Sequence, residues 1–207
     1  MNRSNSSASS ARIATFFLLT YAITWACWLP VVTGVVPPSS RLISLLWIAG
    51  VFAPSFVSLA LTAQEQGNAG ARALLGRAVQ WDVGARWYAF AVLYMVAIKL
   101  AVALIHRLAL GSWPRFGNER PLIVLVAIAL STPVQFGEEA GWRGYALPRL
   151  AARIGFGGAS LLLGLLWACW HLPQFFLPRA DTYHQSFPIW AVEVTAVSVA
   201  MAWLYTR

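Results

Sequence analysis

Residues 13–36 and 42–63, IATFFLLTYAITWACWLPVVTGVV and LISLLWIAGVFAPSFVSLALTA, contain no charged side chain. At about 1.5 Å of rise per residue, each makes a helix long enough to cross a hydrocarbon layer of about 30 Å. Inside such a layer, backbone N–H and C=O groups have no water to meet, so a crossing segment must be a helix or part of a closed barrel. More apolar runs follow. Residues 87–106 hold one Lys and one His, the run from Pro121 has no charge before Glu138, residues 156–177 hold a single His, and residues 187–205 a single Glu. Six spans are predicted. The fold class is all-α, a polytopic transmembrane helix bundle whose direct partner is the lipid bilayer.

The first run is too long and too rich in Trp for a cleavable signal peptide, and it reads as an anchor. The Ser-rich start, MNRSNSSASSAR, predicts a disordered tail over residues 1–12, with one transmembrane domain over 13–207. The formal charge is +8, yet the arginines are scattered among short loops and form no basic face with interleaved aromatics, so nucleic acid is not an expected partner. Membrane topology accounts for them better. Arginines outside the spans are more numerous on the face shared by the N-terminus and the 64–86 loop, which places that face in the cytoplasm. Cys27 and Cys169 both lie within apolar runs, which argues against a disulfide framework and a Cys-rich zinc site and leaves them as buried packing residues. Trp81, Trp87 and Trp113 sit where aromatic belts form at the membrane surface.

Against this background the stretch FGEEAGWRGYALPRL, residues 136–150, is unusual for its two carboxylates and two arginines. Ionisable groups inside spans are costly and mark functional positions. The loop ARIGFGG, residues 152–158, has the glycine content of a helix-to-helix turn. Taking residue 154 or 155 as its centre, Glu138 lies 16 or 17 residues before the turn and His171 lies 16 or 17 after it. An antiparallel hairpin therefore sets them at one depth. The helix carrying Glu138 must then run from Pro121 to Ala152, more than one span, and is expected to tilt or break at Pro133.

Within that helix Glu139 and Arg143 are i, i+4 neighbours, while Glu138 points about 100° away. Glu139 is the natural ion-pair partner of Arg143, which leaves Glu138 without an in-helix cation in a low-dielectric setting suited to a general base. On the second arm Trp167 and His171 share a face, and Ser160, Gly164 and Ala168 form a small-residue stripe that admits a close neighbour. Taken singly, a Glu pair at a helix end is an interfacial cluster and a His among aromatics is a packed core residue. Their matched depth is what favours a site.

The pattern Glu138-Glu139-x-x-x-Arg143, followed by Trp167-x-x-x-His171 in LLWACWHLPQFF, resembles the CPBP family of intramembrane glutamic endopeptidases, also called Abi, which includes the CAAX prenyl protease of the endoplasmic reticulum. RGYALPRL, GLLWACWHLP and LLGRAVQWDVGARWYAFAVL are similar to it as well, and the family-like core covers about 121–207. The resemblance implies an integral protein of a bacterial-type cell membrane that hydrolyses peptide bonds with water activated by Glu138. Glu139 and Arg143 would support that base, His171 would hold the substrate carbonyl or its oxyanion, and Trp142 and Trp167 would contact substrate. The implied substrates are prenylated CAAX-type protein tails or bacteriocin-type peptides, with no cofactor.

The family pattern also has a third motif, His-x-x-x-Asn, on a later helix, which this chain lacks up to its last residues, MAWLYTR. His184 does not supply it, since its i+4 position is Pro188. The chain is expected to be C-terminally truncated by one or two spans and not to be a competent protease as it stands. Two other readings follow. One is a zinc protease with Glu138 and His171 as ligands, for which two protein ligands are too few. The other is a membrane scaffold or immunity-type binding protein that keeps the fold without turnover.

Overall fold

The computed structural model describes residues 3–78, 80, 82–114, 120–178 and 180–207, among which all regular structure is helical. The long helices are α1 Arg3–Val32, α2 Leu42–Ala78, α3 Ala85–Leu110, α4 Pro121–Phe136, α5 Leu147–Trp170 and α6 Phe187–Tyr205. A π-helical segment, Ala140–Ala146, joins α4 to α5, and a 3-10 turn, Leu172–Phe176, follows α5. Five helical stretches are long and apolar enough to cross a membrane. One of them, Pro121–Phe176, is 56 residues long and reverses at Gly155, so the passes come to about six.

The chain divides into two compact units. α1, α2 and the chain from Ser131 to Thr206 form one, and residues 80–130 form the other. α3 belongs to the second unit and ends at Gly111, whose φ of 71° lets its N–H reach the Arg107 carbonyl at 3.0 Å. Lys99 lies on this helix, and Trp81 falls outside the described residues.

Other boundaries also differ from expectation. α1 begins at Arg3, so the helix runs back through the Ser-rich start. Once a helix is nucleated by a buried span, each added residue gains a hydrogen bond at low cost. α4 runs through Pro133 and gives way only after Phe136, because the amide of Gly137 still reaches the Pro133 and Val134 carbonyls at 3.2 and 3.0 Å. The wider π-helical segment then takes up the change of direction. Cys27 is half-buried and Cys169 is exposed on the outer face of α5, so Cys169 is not a packing residue of the interior.

In the first unit the core is aromatic. Phe16, Trp28, Trp142, Tyr145 and Trp170 have at most 1% of their surface exposed. Phe16 and Trp142 meet edge to face at 5.6 Å, as do Trp142 and Trp170. Several polar groups among these rings are paired across helices, which an apolar surrounding favours. Thr24 donates to the Gly50 carbonyl at 2.8 Å and accepts from the Trp170 indole at 2.9 Å. The Trp170 carbonyl at the end of α5 has no helical partner, and α1 supplies one, the Trp25 indole at 3.0 Å; Tyr21 of α1 donates to the Leu166 carbonyl one turn earlier.

The hairpin turns at Gly155, where φ is 73° and ψ 164°, a conformation that side-chain-bearing residues rarely adopt. Its second arm packs on α6 through the small-residue stripe, in which Ser160 and Ala168 are fully buried. A methyl group at Gly164 would lie 2.8 Å from the Thr195 Cα. The first arm packs on α2 just as closely, and a methyl at Gly141 would lie 2.5 Å from the Pro54 carbonyl oxygen. That Gly holds the π-helical segment, and therefore Glu138, against α2.

Candidate active site

Glu138 sits immediately before the π-helical segment with 3% of its surface exposed. Its Oε2 accepts two hydrogen bonds, from the indole of Trp142 at 2.8 Å and from that of Trp167 at 2.7 Å. One donor comes from its own arm of the hairpin and the other from the opposite arm. Both bonds fall on Oε2, which fixes the plane of the carboxylate. When ionised, a carboxylate held this way has its charge partly met by N–H donors in place of solvent.

Glu139 turns away and pairs with Arg143, with Nη1 donating to Oε1 at 2.7 Å. Arg143 is buried and is shared among three elements. Its Nη2 donates to the Ser198 hydroxyl of α6 at 3.3 Å, and its guanidinium lies 4.5 Å from the centre of the Trp167 ring. Arg143 thus ties the π-helical segment to α6 and backs the ring that donates to Glu138, and cations over an indole face are favourable.

His171 closes α5, one turn beyond Trp167. Its Nδ1 is 2.8 Å from the Trp167 carbonyl. A carbonyl only accepts, so Nδ1 carries the proton, and in the neutral ring Nε2 offers a lone pair and not a donor. The imidazole is wedged edge-on against Trp167, Trp170 and Trp190 at centroid distances of 5.4, 4.6 and 5.2 Å.

Glu138, Trp167 and His171 line one cavity of about 1130 Å³. Its walls come from the end of α1, the start of α2, the last turns of α4 and α5, the first turns of α6, and residues such as Gln174, Leu177 and Thr182 between α5 and α6. The hairpin therefore brings Glu138 and His171 to one chamber. The residue bonded directly across from Glu138 is Trp167, and His171 lies one turn further along. Trp142, expected against substrate, is fully buried and lies outside the lining, with its indole on Glu138. Trp167 faces the cavity.

The sequence reading missed the two indole donors. Trp142 stands at i+4 from Glu138, a spacing that signals contact on a helix. It also missed a polar cluster at the other end of the unit. Glu65 accepts from the Tyr145 hydroxyl at 2.9 Å and from Arg149 at 2.7 Å, with Arg12 at 3.8 Å. These partners are 80 and 84 residues apart in the chain, beyond any local spacing rule.

Comparison with known proteins agrees with the motif resemblance. The chain is 27% identical over 182 residues to CAAX prenyl protease 2 of Methanococcus maripaludis, an alignment covering 81% of this chain. The chain spans 64% of that relative's length. Residues 118–207, which contain Glu138, Glu139, Arg143, Trp167 and His171, match the model of the Type II CAAX prenyl endopeptidase Rce1-like family, so this segment of the chain is similar to that family.

Proposed function

We propose that this chain carries the water-activating residues of an intramembrane endopeptidase site, acting on peptide segments near one membrane face, with prenylated CAAX-type tails as the first substrate class and bacteriocin-type peptides as the second. The observation that carries this reading is Glu138, a buried carboxylate held on one oxygen by two indoles and presented to a cavity that it shares with His171.

In the proposed reaction a water rests on Oε1 of Glu138 and gives it a proton as its oxygen adds to the scissile carbonyl carbon. The proton then passes to the leaving nitrogen, the C–N bond breaks, and the new carboxylic acid gives its remaining proton to the amine, so that a carboxylate and an ammonium group leave. His171 Nε2, as a lone-pair acceptor in the neutral ring, suits a second contact with the attacking water better than donation to the oxyanion. Donors for the oxyanion must then come from elsewhere in the cavity or from the substrate-bound protein. Arg143 and Glu139 act on the position of Trp167 and of the π-helical segment, not on the reacting atoms.

The zinc reading fits the donor set poorly. Catalytic zinc takes three protein ligands, and among the described residues no group of three His, Cys, Asp or Glu converges on one point. The Oε2 of Glu138 is also already engaged by two N–H donors. The test is cleavage of a prenylated CAAX-type peptide by the protein expressed from its full reading frame, with and without a chelator. Cleavage that survives the chelator supports the glutamate reading, loss of cleavage on chelation supports metal, and a folded protein without turnover supports a scaffold.

A further inference from the structure

Helix α2 is not one continuous rod, because Gly67 interrupts it with φ 68° and ψ −173°, a backbone conformation open to glycine. Residues 42–66 already make about 37 Å of helix at 1.5 Å per residue, enough to cross the hydrocarbon layer. Residues 68–78 therefore lie at its surface. Leu74, 6% exposed, holds them against the π-helical segment, where a methyl at Gly144 would lie 2.7 Å from Leu74 Cδ1. Arg72 and Arg77 stay exposed.

Two other helix ends meet α2 at this level. Glu65, two residues before the break, accepts from Tyr145 and Arg149 on the first arm of the hairpin, and Arg12 near the start of α1 lies 3.8 Å from it. Arg153, two residues before the turn at Gly155, donates to the Ser10 hydroxyl. The apolar stretch of α1 begins at Ser10, so this end of the unit gathers the ends of three membrane-crossing segments. Its charge is one-sided. Glu65 is the only acidic residue in positions 1–81 and 140–180, and Arg12, Arg72, Arg77, Arg149 and Arg153 stand against it. Glu65 does not use them up, since the Arg12 side chain is still 55% exposed. Ile154 and Phe156, on either side of Gly155, are 51% and 38% exposed beside these cations.

We propose that this end of the unit is a binding surface for the headgroups of anionic phospholipids, with Arg72 and Arg77 supplying the selectivity for charge. Guanidinium groups pair with phosphate oxygens, and basic clusters at the ends of membrane helices draw anionic lipid. The exposed apolar tip decides between sources of phosphate. A lipid brings acyl chains that cover Ile154 and Phe156 while its headgroup meets the arginines, whereas a free anion satisfies the charge and leaves the tip bare. Glu65 orients Arg149 within the patch, and the patch does not depend on the endopeptidase reading.

The test is a thermal melt of the protein expressed from its full reading frame, in detergent supplemented with phosphatidylglycerol, with phosphatidylcholine or with inorganic phosphate. A ligand that binds only the folded state raises the midpoint, so saturating phosphatidylglycerol is expected to raise it by about 5 °C or more, and the other two much less. Salt at 1 M, where charges are screened beyond about 3 Å, should remove most of the rise. Arg72→Gln with Arg77→Gln should at least halve the rise, while Arg72→Lys with Arg77→Lys keeps it. Arg41→Gln, an exposed arginine at the other end of α2, is the control and should keep it as well. Either single Gln variant repeats the test should the pair fail to fold. Equal rises with the two lipids, or equal rises in wild type and the double Gln variant, overturn the inference. A rise with inorganic phosphate as large as that with phosphatidylglycerol also overturns it, because the surface would then take a free anion.

Discussion

The indole nitrogen of Trp167 lies 2.7 Å from Oε2 of Glu138, although 29 residues separate them in the chain. A single straight helix would hold those positions about 40 Å apart at 1.5 Å per residue. The bond exists because the chain reverses at Gly155, and it joins the two motifs into one site. Trp167 has a second tie, since its carbonyl takes the Nδ1 proton of His171. One residue thus orients both the carboxylate and the imidazole.

Trp167→Phe is therefore expected to keep the ring and lose the donor. Hydrogen bonds to charged groups contribute about 1.5–3 kcal/mol, so kcat should fall about 10- to 100-fold with KM less affected. Trp142→Phe should lower kcat by a similar factor. It should also lower the unfolding temperature in detergent, because Trp142 is fully buried and a smaller ring leaves a void. Steady-state kinetics beside a thermal melt separate the two effects, and an unchanged kcat in both variants would contradict the role given to the indoles.

Breaking the Glu139–Arg143 pair should act on stability first. Glu139→Gln leaves Arg143, 3% exposed, without its carboxylate partner. Removing one member of a buried pair costs about 3–5 kcal/mol, and the 21% exposure of Glu139 places this pair toward the lower end. Arg143→Met, which removes the charge and keeps the volume, should be tolerated better than Glu139→Gln in a detergent melt. The reverse order would show that Arg143 is held chiefly by Ser198 and Trp167.

Gly141→Ala should destabilise the protein, because the new methyl would lie 2.5 Å from a backbone oxygen of Pro54 that cannot easily move. Overpacking of this kind costs about 1–3 kcal/mol. Gly157→Ala is the control, since a methyl there meets nothing within 4 Å. Equal melting temperatures for the two variants would mean that α2 and the π-helical segment are less tightly joined than described.

How much of this was legible beforehand depended on the range of each interaction. The near-uncharged runs announced the membrane helices, and the Gly content of residues 152–158 announced the turn that Gly155 makes. The Glu139–Arg143 pair followed from i, i+4 spacing, and the packed stripe of Ser160, Gly164 and Ala168 from residue size. The Glu65 cluster and the contact of Gly141 with Pro54 were illegible, because they join helices distant in sequence and no local periodicity encodes them. Pro133 misled, since α4 continues through it and the change of direction fell to the π-helical segment after Phe136.

The most direct test of the central claim is cleavage of a prenylated CAAX-type peptide by Glu138→Gln beside wild type, each expressed from the full reading frame and matched for detergent melting temperature. Gln keeps the shape and can still accept the two indole bonds, but it cannot take a proton from water. The predicted result is loss of turnover by about 10²-fold or more at unchanged melting temperature, the lower range for a positioned general base. Equal turnover in the two proteins would contradict the assignment of Glu138 as the base.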